Sequence, residues 1–198
     1  MGQNKWVRRI LWIILILGIT AGLVWMGLQR DKVSHTEPSA NPSFSTEAVI
    51  PLPKEQRPAM EAISFQDAQG KSLTPASFAG QVVLINLWAT WCPPCVAEMP
   101  DLDVLQQRWA AKNVKVIAIS VDAGGINRAR SWLNKQGLHA LIPYSGGNEI
   151  VVTGQLPTSF LLDKQGRIAW MGVGMQDWTG PETRAALEGL LSEAFQPH

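Results

Sequence analysis

Val82-Val83-Leu84-Ile85-Asn86-Leu87-Trp88-Ala89-Thr90-Trp91-Cys92-Pro93-Pro94-Cys95 is the stretch that decides the fold. Val82 to Leu87 reads as a strand buried in the centre of a sheet, since such strands are near-continuous apolar runs. An aromatic turn follows, and Cys-x-x-Cys then opens a helix. Pro93 and Pro94 suit its first turn, where a missing N–H costs nothing. The first sulfur falls at the helix N-terminus, where unpaired N–H groups and the macrodipole favour a thiolate. Thiolates attack disulfides, so position and chemistry together point to dithiol–disulfide exchange. Cys92, expected to be reachable from solvent, is the attacking thiol; Cys95, one turn in, resolves the mixed disulfide. The two prolines also remove donors that would stabilise the thiolate, so the dipeptide fixes no redox potential.

Other uses of two cysteines fit less well. A structural bridge closing so short a loop constrains the unfolded chain little. A closed zinc site needs four ligands, whereas His35 lies in a polar stretch, His139 is isolated and His198 ends the sequence. Peroxide reduction needs a lone peroxidatic cysteine, and here both thiols belong to one motif. No cofactor and no resident metal are expected. The alternative from another class is a copper-binding, copper-delivery or metal-stress thiol protein using the same two sulfurs.

Strands and helices alternate beyond residue 59. Ile63 to Phe65 and the turn Asp67-Ala68-Gln69-Gly70 predict an N-terminal hairpin, with a short turn near Thr74 to Phe78. The helix from Cys92 carries Leu102, Leu105 and Trp109 on one stripe facing a sheet, and Pro100 should kink it. Val114 to Val121 is a second apolar strand, and Ile126 to Lys135 a helix ending at Gly137. Thr158 to Leu162 and Ile168 to Val173 form an antiparallel hairpin. Thr179 and Glu182 make a capping box for a last helix reaching Ala194. Glu98 falls one turn after Cys95 on the same helical face. Spacing alone leaves it either an ordinary exposed glutamate or the group that takes the second thiol's proton.

Ile10 to Leu28 is a run of nineteen residues without a charge, long enough to cross a bilayer as a helix. Trp12 and Trp25 lie near its ends, where aromatic belts belong. Thr20-Ala21-Gly22 offers small residues for signal cleavage, but the apolar run continues through Leu23, Val24 and Trp25, so an uncleaved anchor is expected. Lys5, Arg8 and Arg9 only slightly outnumber Arg30 and Lys32, and the charge count leaves orientation weakly set. The expected organisation is a cytoplasmic tail at 1–9, a transmembrane signal-anchor at 10–29, a Pro/Ser-rich linker at 30–58 and one domain at 59–198. The linker cannot bury enough apolar surface to offset ordering, and reads as a semi-extended tether. The remaining length of about 140 residues suits a single core. A formal net charge of +1 with mixed signs leaves no electrostatic footprint for nucleic acid.

Gly80 to Pro100 resembles the active-site segment of the TlpA/ResA-like branch of membrane-anchored thioredoxins. Gly154-Gln155-Leu156-Pro157-Thr158-Ser159-Phe160-Leu161-Leu162-Asp163 resembles that family's cis-proline loop and the strand after it. The resemblance covers roughly residue 59 to the C-terminus. It implies a thioredoxin-like α/β fold: a central mixed β-sheet flanked by helices, with an N-terminal β-hairpin and a central insert, preceded by one transmembrane helix. It implies an acidic group active in thiol chemistry at Glu98, and Asn86 stands where ordinary thioredoxins carry a buried aspartate. It implies a cis Leu156–Pro157 bond, with the Leu156 backbone available to pair with an extended substrate segment. Trp91, beside the thiol, is assigned to substrate binding, although shielding and packing explain it equally well.

The resemblance further implies an extracytoplasmic protein-disulfide reductase, single-pass in the inner (cytoplasmic) membrane, with its catalytic domain in the periplasm. Its expected partners are disulfide-containing client proteins, apocytochrome c among them through cytochrome c maturation. A membrane-embedded thiol reductase is the expected electron donor.

Overall fold

The computed structural model describes residues 49–60, 63–146 and 154–195. β3 (Val82–Trp88), buried along its whole length, lies inside a mixed sheet. With β1 (Phe65–Gln66), β2 (Ser72–Leu73), β4 (Val114–Ser120), β5 (Tyr144–Gly146), β6 (Thr158–Leu162) and β7 (Ile168–Val173), the order is β2-β1-β5-β4-β3-β6-β7. β4 runs parallel to β3 and β5, whereas β6 is antiparallel to β3 and β7. The β1–β2 hairpin adds antiparallel to β5. The helices are α1 (Pro93–Trp109), α2 (Gly125–Gln136) and α3 (Pro181–Ser192). This is the thioredoxin-like arrangement expected from the sequence.

The period-2 geometry of β3 divides the core. Val82, Leu84 and Trp88 join one cluster with Met99 and Leu102 of α1, Leu133 of α2 and Leu187 of α3. Val83, Ile85 and Leu87 join a second with Phe65, Ile117, Tyr144 and Phe160. The β3 run is apolar on both faces because both are covered.

Four readings need correction. Residues 49–58, placed in the linker by composition, pack on the domain. Val49 is buried, the Leu52 N–H donates to the Ala169 carbonyl at 2.7 Å, and Lys54–Gln56 form a 3-10 turn. Arg57 fastens the strap: its guanidinium donates to both Glu193 oxygens at 2.7 and 2.8 Å and to Asp163 Oδ2 at 3.2 Å. Long-range ion pairs thus order a stretch whose local composition favours a tether. The last helix has no capping box, because Pro181 takes its first position and Gly180 its N-cap, while Thr179 donates to Asp177 instead. That helix ends at Ser192, since Glu193 is extended and held by Arg57. β5, too short to show a period, was missed. The transmembrane segment at 10–29 and residues 147–153 of the central insert lie outside the described residues. Among the described residues no helix is long and apolar enough to cross a membrane.

Candidate active site

β3 delivers the chain into a tight turn, with the Cys92 N–H donating to the Ala89 carbonyl at 3.1 Å. Cys92 is the N-cap of α1, and Pro93 occupies the first helical position. The two cysteines form a disulfide with their Cα atoms 5.3 Å apart. The Cys95 N–H points at Cys92 Sγ, 3.4 Å away, so a helix-terminal donor does face the first sulfur. Cys92 is only 5% exposed and Cys95 fully buried, so Cys92 is the outer sulfur but far less open than expected. Trp91, at 65% exposure, is the large apolar surface beside it.

The turn is clamped to the neighbouring strand. Asp122, just past β4, accepts from the Thr90 N–H at 2.9 Å, the Thr90 hydroxyl at 2.8 Å and the Ser120 hydroxyl at 2.8 Å. Arg128 reaches Thr90 Oγ1 at 2.9 Å and Asp122 Oδ1 at 3.3 Å. Sequence reasoning passed over Asp122. The available signal was a carboxylate at the C-terminal end of a strand parallel to the one feeding the motif.

The Leu156–Pro157 bond is cis. Thr158 pairs in register with Leu87, which puts the proline and the disulfide at the same end of the sheet. Leu156 packs against the cluster containing both cysteines, and the Pro157 carbonyl accepts from the Gly174 N–H at 2.8 Å.

Glu98 is 1% exposed, which removes the ordinary exposed glutamate as a reading. Its Oε1 accepts from Asn86 Nδ2 at 2.7 Å. Oε2 accepts from Trp178 Nε1 at 3.0 Å and the Gln176 N–H at 3.3 Å. Burial pushes this carboxyl from its usual 4.5 up to about 7; the three donors pull the other way, and Asp101 adds a like-charge push upward. The result is a group that gains and loses a proton near neutrality. Asn86 also donates to Ser159 Oγ at 3.0 Å. Ser159, Gln176 and Trp178 went unnoticed, because nothing in local spacing links Trp178 to a glutamate 80 positions away. Among the described residues no cluster of three or more His, Cys, Asp or Glu side chains could hold a metal.

A disulfide at the start of a helix, at the same end of a thioredoxin-like sheet as a cis-proline loop, defines the class: a thiol-disulfide oxidoreductase. The family model described as Redoxin matches residues 42–191. The chain therefore belongs to the redoxin family, as a TlpA/ResA-like thioredoxin. It is 33% identical over 191 residues to the thiol-disulfide oxidoreductase ResA of Bacillus thuringiensis subsp. konkukian (strain 97-27), covering 94% of this chain and 96% of that protein. It is 37% identical over 136 residues to the thiol:disulfide interchange protein DsbE of Vibrio cholerae serotype O1, covering 64% of this chain and 70% of that protein. A secreted thiol-disulfide isomerase from Corynebacterium glutamicum shares the fold, with a TM-score of 0.60 at 23% identity over 73% of this chain and 92% of that one.

Proposed function

We propose that the chain is a membrane-anchored, extracytoplasmic reductase of disulfides in client proteins. The Cys92 thiolate attacks a client disulfide, forming a mixed disulfide and releasing one client thiolate. Cys95 then loses its proton and attacks Cys92 Sγ, which releases the second client sulfur as a thiolate, protonated from solvent, and leaves Cys92–Cys95 oxidised. The observation that supports the exchange step is the Cys92–Cys95 disulfide at the N-terminus of α1, with Glu98 buried one turn beyond Cys95 to accept that proton. Leu156, Pro157 and Trp91 form the client-facing side, with the extended client pairing along the cis-proline loop. Each turnover consumes two electrons, and the chain holds no third cysteine to restore them. A membrane-embedded thiol reductase is the proposed donor, and reduction of apocytochrome c before haem attachment the proposed process.

Equilibration with glutathione tests the direction. The disulfide form should persist until the buffer is strongly reducing; a dithiol that dominates in an oxidising buffer would make the protein an oxidant. Insulin reduction alongside Cu(I) titration tests the class. Tight stoichiometric copper binding without insulin reduction would favour metal delivery instead.

A further inference from the structure

Residues Gly174–Trp178 leave β7 and cross to Glu98. Gly174, at φ +86°, turns the chain, and its N–H holds the Pro157 carbonyl. Two residues on, the Gln176 N–H and then the Trp178 indole N–H both end on Glu98 Oε2. Trp178 is buried and meets Trp170 edge to face, with ring centroids 6.0 Å apart at 89°. Trp170 in turn lies across Gly172: a Cβ there would stand 2.3 Å from the indole Cη2. The absence of a side chain at 172 seats Trp170, Trp170 seats Trp178, and Trp178 aims its N–H.

We propose that Trp178, seated by Trp170 over Gly172, is a positioning residue that sets the proton affinity of Glu98 during exchange. The proposal rests on Glu98 being the proton carrier. Each fixed partner of the carboxylate is an N–H donor, from Asn86 on β3, Gln176 and Trp178, and donors stabilise the anion. Asp101 on α1 is the charged neighbour that opposes them. The Asp177 carboxylate, between the two donors in sequence, accepts from Thr179. Loss of the indole N–H removes anion stabilisation without adding charge, so the proton is held more tightly.

The test is a pH titration of the oxidised full-length chain, carrying ¹³C-labelled glutamate, by NMR; Glu98→Gln assigns the resonance. Alkylation rates of the reduced cysteines are measured across the same pH range. Trp178→Phe should raise the Glu98 midpoint by about one unit, because a hydrogen bond to a charged group has about that worth. The alkylation profile should move with it. Gly172→Ala leaves all three donors chemically intact, displaces Trp170, and should shift the midpoint in the same direction, which covers a Trp178 variant that fails to fold. A folded Trp178→Phe variant with the wild-type midpoint overturns the positioning role while leaving Glu98 as carrier. A shifted midpoint with an unshifted alkylation profile supports the positioning and overturns the carrier reading.

Discussion

Asn86 Nδ2 stands 2.7 Å from Glu98 Oε1 and 3.0 Å from Ser159 Oγ, so one buried amide on β3 joins α1 to β6 one turn from Cys95. An amide neither gains nor loses a proton at working pH. The acid–base capacity of this pocket therefore sits on the helix, in Glu98.

Asn86→Asp would place a second carboxyl against Glu98. Two carboxyls at hydrogen-bond distance cannot both ionise readily, and they titrate as a pair. The variant should show two separated carboxyl midpoints by NMR, the upper one above that of the wild type. A single unshifted midpoint would mean that the pair does not form.

Glu98 should also make stability pH-dependent. Its folded value, about 7, lies above the usual 4.5, so the native state holds a proton that the unfolded state has released throughout that window. Stability attributable to this group is full below the unfolded value and falls as pH rises through the folded one, by about 3 kcal/mol in all. Urea unfolding at pH 5 and pH 8 should show Glu98→Gln gaining on the wild type at the higher pH. A gap independent of pH would contradict the raised value.

Arg57 makes the strap part of the domain. Burial alone would push Asp163 up, but hydrogen bonds from Arg167 and Arg57 hold it below the usual carboxylate range. Without Arg57, Asp163 keeps Arg167 at 2.7 Å but loses one charged donor, and Glu193 loses its partner, at a cost of about 2 kcal/mol. Arg57→Ala should lower unfolding free energy by about that amount at neutral pH, and by less in acid, where Asp163 gains its proton. Full wild-type stability would show that the strap is dispensable.

The proposed anchor gives a fractionation result. The full chain should stay in the membrane fraction at intact mass, with residues after Arg30 open to protease added from the extracytoplasmic side. A shortened soluble form beginning near Ala21 or Gly22 would establish cleavage instead.

How much of this was legible depended on range. Val82 to Cys95 declared strand, turn and helix start through local pattern, and β6 and β7 were found to the residue because two short, largely apolar runs flanked a Gly-containing turn. Glu98 could be placed on its helical face but not in its environment. Its burial comes from β3 and from a loop beyond β7, and spacing along a helix says nothing of what packs on it. Arg57 was misplaced for a related reason, since proline and polar composition describes local preference while its partners Asp163 and Glu193 lie at the far end of the chain. The Thr179 cap failed on a local rule, because Pro181 next door is a stronger helix start.

Trapping on single-cysteine variants tests the central claim most directly. Cys95→Ser retains the attacking thiol and lacks the resolving one, so mixed disulfides with client proteins should accumulate on non-reducing gels and vanish on reduction. Cys92→Ser should yield none, because its remaining thiol is fully buried. Equal adduct yields from the two variants would contradict the assignment of Cys92 as attacking thiol and Cys95 as resolving thiol.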